Sequence, residues 1–374
     1  MDTPNYQLKP DTRLHSAQRP LGPLTPYHEL AEISWDPAAK TGKLRLLRRN
    51  RIDDWFYGCH FLGDPVMPGC WGVDAIWEGL ALFAARLGLG RCDKALAMED
   101  VKFFGQIRPY DKEIAYDLEI LSVEQSDDDF LLTARAEVSV DGMPVYTIGS
   151  AQVGSAYWEA PELKAPAAVK RPEAPPLLKT LSFEEFLARD HFSPAEVVAI
   201  SLGTLVANPK AELGLLPAAP MLQIGRVDSI RAEGAGEGRI AATLPNDARD
   251  WFYPMSPAGK PAALSVDGLW QLMGLYLSWR GHPGTGRALG FEAVEVFDTV
   301  RPSDREVTYD VRVIKETRNE QTGDAFVRAD ADVFADGRLI LRCRNASVGC
   351  HRGIRYSDYP LASDMSTGGK VKAR

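Results

Sequence analysis

The chain has 374 residues, about twice the length of an average domain, so two folding units are expected. Its 45% hydrophobic and 25% charged residues exclude collagen-like, disordered and disulfide-scaffold classes, and no apolar run is long enough for a membrane span. A net charge of −8 argues against a nucleic-acid partner or an anionic membrane surface, and five cysteines without a Cys-x-x-Cys pair favour a reducing, cytoplasmic compartment.

The predicted elements form two similar series along the chain. In the first series, a proline opens an almost wholly apolar stretch that predicts a buried helix over about 68–87, and alternating residues predict a strand over 114–121. The second series predicts the same helix over about 261–279 and the same strand over 307–314. A buried helix followed by antiparallel strands is typical of a sheet curled around a helix, which is an α+β architecture.

The two series reflect an internal repeat. The sequence Asp-Trp-Phe-Tyr at 54–57 recurs at 250–253, and VDAIWEGLALF at 73–83 recurs as VDGLWQLMGLY at 266–276. From residue 74 to 120 the offset between the copies is a constant 193 residues. This period is much too long for a solenoid, so it indicates a duplicated domain.

A segment rich in proline and alanine separates the copies and predicts an exposed linker. Capping signals at Ser182 and Ser193 predict two short helices directly after it. The predicted division of the chain is therefore an N-terminal extension at 1–23, a first domain at 24–160, the linker at 161–181, a second domain at 182–355 and a flexible tail at 356–374.

The segment with the clearest chemistry is GCHFLGDPVMPGC at 58–70, which leads directly into the first long helix. It resembles the bacterial β-hydroxydecanoyl-acyl-carrier-protein dehydratase/isomerase family, which has a hotdog fold, and the resemblance covers roughly 24–155 and 220–352. The duplicated form resembles the dehydratase domains of polyunsaturated fatty acid synthases. The resemblance implies a double hotdog, in which two antiparallel sheets are each wrapped around a long buried helix within one chain.

The resemblance also implies an activity and its partners. It implies dehydration of β-hydroxyacyl thioesters to trans-2-enoyl thioesters in fatty acid, polyunsaturated fatty acid or polyketide synthesis. The acyl chain would be linked to phosphopantetheine on an acyl carrier protein, and neither a cofactor nor a metal is expected. In the resembling family two hotdogs pair, and each active site takes its histidine from one unit and its aspartate from the other.

Loss of water from such a substrate requires a base at C2, an acid at the C3 hydroxyl and a donor to the thioester oxygen. His60 is the expected base, because imidazole titrates near neutral pH. A carboxyl group in an apolar tunnel would hold its proton and could act as the acid. The backbone N–H of Gly69, or of its neighbour Cys70, lies at the start of the predicted helix and is the expected donor.

The second copy departs from the motif. It has PMSPAGKPAALSVD where the first has GCHFLGDPVMPGCWGVD, so it is three residues shorter, and Ser256 falls on or near the position of His60. Asp267 keeps the position of Asp74, and Gln271 follows it on the same helix face. We therefore expect one complete site, with His60 as base, Asp267 as acid and Gln271 as a supporting hydrogen-bonding group, and a vestigial site containing Asp74 and Ser256.

The sequence leaves several alternatives open. Aspartate at 74 and 267 resembles bifunctional members that also move the double bond from trans-2 to cis-3. A catalytically silent pair that binds acyl chains or scaffolds a megasynthase, and an acyl thioesterase, are alternatives of other classes. The fused pair could act as a monomer or as part of a larger synthase, and the sequence does not give the length or unsaturation of the acyl chain. Lys260 is expected to reach solvent or to close the second tunnel.

Overall fold

The computed structural model describes residues 29–89, 94–126, 129–166, 178–207 and 213–352, together with the backbone of a short strand pair near the C-terminus. Among these residues, no helix is both long and apolar enough to cross a membrane.

Among the described residues, each half of the chain contributes six strands of the main sheet and one long helix. The elements of the first half are β1 (Glu29–Asp36), β2 (Thr41–Arg49), α1 (Gly69–Arg86), β3 (Lys94–Phe103), β4 (Glu113–Gln125), β5 (Phe130–Val140) and β6 (Met143–Gly154). Those of the second half are α2 (Phe183–Leu187), α3 (Pro194–Ser201), β7 (Arg226–Gly234), β8 (Glu237–Pro245), α4 (Ala262–Trp279), β9 (Thr285–Val296), β10 (Glu306–Arg318), β11 (Ala325–Ala335) and β12 (Arg338–His351). The short pair consists of β13 (Ser366–Thr367) and β14 (Lys370–Val371).

The strands of both halves form one antiparallel sheet of 12 strands, in the order β1-β2-β4-β5-β6-β3-β9-β12-β11-β10-β8-β7. The halves meet where β3 pairs with β9, with Met98 opposite Val294. In each half the sheet packs against its long helix, and α1 and α4 also contact each other. The predicted α+β double hotdog is therefore confirmed, with its two sheets joined edge to edge.

The two long helices begin and end within one residue of their predicted bounds. Each begins directly after a proline, Pro68 or Pro261, and nearly every side chain of α4 is buried. The two short helices are also confirmed, because Ser182 and Ser193 each form a capping box with a glutamate three residues later. Proline punctuation and capping residues act locally, which explains why the sequence predicts these boundaries well.

The repeated Asp-Trp-Phe-Tyr segments meet across the two halves. The rings of Trp55 and Trp251 lie edge to face, with 5.1 Å between their centroids. The tyrosines also make equivalent bonds, since the hydroxyl of Tyr57 donates to Asn50 and that of Tyr253 donates to Asn246, each over 2.7 Å. The duplication is therefore visible in individual hydrogen bonds as well as in the topology.

The predicted domain boundaries stay predictions. The N-terminal extension at 1–23 and the centre of the linker, 167–177, lie outside the described residues. The tail at 356–374 also lies outside them, except for the strand pair β13–β14.

Candidate active site

His60 lies in the loop between β2 and α1, just after a turn of 3-10 helix at Trp55–Gly58. Its backbone N–H donates to the carbonyl of Phe56 over 2.8 Å, and its Nδ1 lies 2.9 Å from the carbonyl oxygen of Val66. A carbonyl oxygen can only accept, so Nδ1 carries the proton of the neutral ring. The lone pair is therefore on Nε2, where it is available to take a proton.

Burial sets the protonation state of His60. The side chain is almost completely enclosed, and this desolvation lowers its pKa to about 4. The bond to Val66 opposes this shift, and the nearby cation of Arg287 adds to it. His60 is therefore neutral near pH 7, which is the form that a general base requires.

Asp267 lies in the second turn of α4, and its carboxylate is held from two sides. Gln271 Nε2 donates to its Oδ2 over 2.6 Å, and the thiol of Cys70 in α1 donates to the same carboxyl group. Gln271 is itself fixed, because its Nε2 also donates to the carbonyl of Met221 and its Oε1 accepts from the backbone N–H of Gln223. Burial raises the pKa of Asp267 to about 6, against the opposing effect of these bonds and of Lys260.

His60 and Asp267 line one cavity of about 100 Å³ between the two halves. Gln271 and Gly69 line the same cavity, whose remaining wall is largely apolar. Gly69 is the first residue of α1, so its amide has no partner within the helix and lies at the positive end of the helix dipole. The structure thus brings together the residues that the sequence assigned to the complete site.

Cys70, whose backbone N–H is a predicted donor, also has its side chain next to Asp267. Its thiol is buried against Asp267, and this raises its pKa well above the ordinary value. The thiol therefore stays protonated and is not a nucleophile near neutral pH.

Within the described ranges no three His, Cys, Asp or Glu side chains lie in an arrangement suited to a metal ion.

Asp74 and Ser256 line a second cavity, of about 330 Å³. Ser256 has the backbone position of His60, because its N–H donates to Phe252 over 2.9 Å as that of His60 donates to Phe56. Its hydroxyl donates to the carbonyl of Gly259 over 2.6 Å, just as the imidazole donates to Val66. The two cavities are therefore related by the repeat, and only the first contains an imidazole.

The expectation for Lys260 was wrong. Lys260 neither reaches solvent, since it is only 3% exposed, nor fills the second cavity, which it merely lines. Its amine turns into the core of the second half, 3.5 Å from the hydroxyl of Tyr309 and 5.9 Å from the ring centre of Phe252. The phenol and the aromatic face partly replace water around the ammonium, which makes this inward position possible.

A charged group that the sequence did not predict lies beside the first cavity. Arg287 of β9 donates two hydrogen bonds to Asp64, each 2.7 Å long, and a third to Gln106 over 3.1 Å. Asp64 belongs to the first-copy motif, but its partner lies 223 residues away and in the other copy. No local spacing connects such residues, so only the presence of an acidic side chain in the motif could have suggested a cationic partner.

Comparison with known families agrees with this architecture. The FabA-like domain model matches residues 26–149 and again 216–344. Among solved structures, the dehydratase domain from the CurJ module of curacin polyketide synthase is 12% identical, with a TM-score of 0.46 over 88% of this chain and 98% of that chain. A trans-AT polyketide synthase dehydratase domain from Brevibacillus brevis is 14% identical, with a TM-score of 0.43 over 88% and 98% of the two chains. Because the two matches to the family model together cover more than half of the residues of this chain, the chain belongs to the FabA-like family.

Proposed function

We propose that this protein dehydrates β-hydroxyacyl thioesters to trans-2-enoyl thioesters, with the acyl chain carried on the phosphopantetheine of an acyl carrier protein. The observation that carries the proposal is the cavity shared by His60 of the first copy and Asp267 of the second. A neutral imidazole and a carboxyl group with a raised pKa are the base and the acid that this reaction needs.

In the proposed reaction, Nε2 of His60 removes a proton from C2 of the substrate. The electron pair of that C–H bond forms the C2–C3 double bond, and the C3–O bond breaks. The protonated carboxyl of Asp267 gives its proton to the leaving hydroxyl, which departs as water. The N–H of Gly69 donates to the thioester oxygen as this gains negative charge. Transfer of the proton from His60 back to Asp267 restores the starting state.

Supporting roles follow from the same contacts. Gln271 keeps the Asp267 carboxyl in one orientation, because its amide is fixed by Met221 and Gln223. The Cys70 amide is an alternative donor to the thioester oxygen, next to Gly69. Such preorganised donors are effective because they need no rearrangement when charge develops.

The second cavity is proposed to be catalytically silent. A serine hydroxyl is a poor base near neutral pH unless another group activates it, and the hydroxyl of Ser256 donates to Gly259. Asp74 and Ser256 are therefore proposed to be vestiges of a second active site that the duplication once provided. One live site per chain is the consequence.

The direct test is turnover of β-hydroxybutyryl-pantetheine, with the product identified by NMR. Wild-type protein should release water and form the trans-2-enoyl thioester. His60→Ala should lower the rate by about 10²–10⁴-fold, as expected for loss of a general base. Ser256→Ala, the matched change in the other copy, should leave the rate within about twofold, since the serine lies outside the proposed live site.

The other outcomes separate the alternatives. Release of the free carboxylic acid would identify a thioesterase, and an inert wild-type protein would favour a silent acyl-binding pair. A cis-3 product in addition to the trans-2 product would add isomerisation to the proposed activity.

A further inference from the structure

Gln106 lines the first cavity and carries a buried amide donor. The residue is 7% exposed and lines the cavity together with His60 and Asp267. Its Oε1 accepts from Nε of Arg287 over 3.1 Å. Since a guanidinium group can only donate, the amide oxygen must face Arg287 and the amide nitrogen must face away. Within the part of the chain that the structure describes, Nε2 of Gln106 is buried and has no acceptor.

The orientation of the Gln106 amide is fixed by Arg287, which is itself held by Asp64. Arg287 makes two 2.7 Å bonds to Asp64, and its Nη1 also donates to the carbonyl of Gly286 over 2.8 Å. The side chains of Arg287 and Asp64 are only 10% and 11% exposed. A buried bidentate ion pair of this kind holds the guanidinium in one place, and the guanidinium in turn prevents the amide of Gln106 from flipping.

Trp270 adds a second donor of the same kind. Its side chain lines the same cavity, and its indole N–H is buried and has no acceptor among the described residues. Buried donors normally have a partner, so two unpaired donors in one cavity indicate a ligand with acceptor oxygens.

The proposed reaction accounts for only two substrate oxygens. The thioester oxygen at C1 would meet the N–H of Gly69, and the oxygen at C3 would meet Asp267. A hydrocarbon chain beyond C3 offers no further acceptor. The next acceptors in such a substrate are the amide carbonyls of the pantetheine arm, on the other side of the sulfur atom.

We propose that Nε2 of Gln106 donates to an amide carbonyl of the pantetheine arm. Arg287 and Asp64 are positioning residues, which act by orienting that donor and do not touch the substrate. This inference rests on the proposed dehydratase function, and it names the part of the substrate that Gln106 binds.

The test compares two enoyl thioesters that differ only in the arm. Crotonyl-pantetheine carries the amides, whereas the crotonyl thioester of ethanethiol carries none, and hydration of both can be followed as formation of the β-hydroxybutyryl thioester. The readout is the ratio of kcat/KM for the pantetheine substrate to that for the ethanethiol substrate. A substitution that merely disturbs the fold or the catalytic residues lowers kcat/KM for both substrates, so it leaves this ratio unchanged.

Two variants remove the donor in different ways. Gln106→Glu keeps an acceptor for Arg287 and loses both amide protons, whereas Gln106→Met loses every polar contact. Both should lower the ratio about 3- to 10-fold, which corresponds to the loss of one neutral hydrogen bond. Gln152→Met is the matched control, since this glutamine lies on β6, bonds to Thr133 and does not line the cavity. It should leave the ratio unchanged.

The inference is overturned if both Gln106 variants keep the wild-type ratio, or if they lose activity equally on the two substrates, because the donor would then be unused or would meet the acyl half. Failure of the proposed function gives a different result, since wild-type protein would then hydrate neither thioester.

Discussion

Burial moves the pKa values of His60 and Asp267 towards each other's usual range, and the cause is the same for both. Removal of water disfavours the charged form, so the pKa of the histidine falls to about 4 and that of the aspartate rises to about 6. Between these values the base is neutral and the acid is protonated. The pair is therefore set for the proposed reaction only over a limited range of pH.

The first prediction is a bell-shaped dependence of kcat/KM on pH. Activity should rise near pH 4, as His60 loses its proton, and fall near pH 6, as Asp267 loses its proton. The two midpoints are apparent pKa values of the pair, because the two groups share one site. Gln271→Leu should shift the falling limb to higher pH, because the bond from Gln271 stabilises the ionised carboxylate. Initial rates between pH 3 and 9 give both limbs. A flat profile from pH 5 to 8 would contradict the assignment.

Lys260 provides the second prediction at this scale. Burial lowers the pKa of Lys260 from 10.5 to about 8. At pH 7 the amine is therefore still charged in the folded protein, and its burial reduces the free energy of unfolding. Lys260→Met introduces the residue type of the equivalent Met67, and it should raise the free energy of unfolding at pH 7 by roughly 3 kcal/mol. Because the pKa of Lys260 is lower in the folded protein than in the unfolded chain, the charged amine destabilises the folded state. The gain from Lys260→Met should therefore be complete below pH 8, where the amine is charged in both states. It should disappear as pH rises to about 10.5, where the amine is largely neutral in both states.

Urea unfolding at pH 7 and at pH 10 measures this difference. Lys112→Met, at an exposed lysine, should change the free energy of unfolding by no more than about 0.5 kcal/mol at either pH. A Lys260 variant that is less stable than wild type at pH 7 would show that the ammonium is better accommodated than its surroundings indicate.

At the scale of elements, α4 carries two glycines with opposite surroundings. A Cβ atom at Gly274 would meet nothing within 4 Å, whereas one at Gly268 would lie 2.5 Å from the hydroxyl oxygen of Tyr309. Gly274→Ala should therefore stabilise the protein by about 0.5–1 kcal/mol through helix propensity. Gly268→Ala should destabilise it by about 1–3 kcal/mol through overpacking. Thermal or urea unfolding of the two variants, in parallel, checks both signs, and equal effects would contradict the described packing of α4.

Elements were the features best predicted from the sequence. The first residues of α1 and α4 follow from Pro68 and Pro261, and the short helices follow from their capping serines, because these signals act within a few residues. The direction of the Lys260 side chain could not be predicted in this way. It depends on Tyr309, which belongs to a strand that is distant in sequence, and the charge of lysine alone favoured an outward position.

At the scale of the whole molecule, two features join the halves in addition to the contacts of α1 with α4 and of Trp55 with Trp251. One is the strand pair β3–β9, and the other is the buried ion pair between Asp64 and Arg287 beside the cavity. The repeat predicted two similar domains, but it could not predict either junction. Both junctions depend on residues that differ between the copies or lie about 200 residues apart, and neither has a periodic signal.

The ion pair gives a stability prediction for the assembled chain. Arg287→Met leaves a buried carboxylate without its partner, so it should lower the free energy of unfolding by about 3–5 kcal/mol. Arg45→Met is the matched control, because its bond to Asp117 lies on the surface, with both side chains more than 40% exposed. It should cost at most about 1 kcal/mol. Equal losses in urea unfolding would mean that the Asp64–Arg287 pair does not hold the halves together.

The central claim is that one active site is formed by the histidine of the first copy and the aspartate of the second. Its most direct test is the dehydration rate of Asp267→Asn beside that of Asp74→Asn, which is the same change at the equivalent position of the other helix. The account predicts a loss of about 10²–10⁴-fold for Asp267→Asn, as for a general acid, and a change of less than about threefold for Asp74→Asn. Equal losses, or a larger loss for Asp74→Asn, would contradict it.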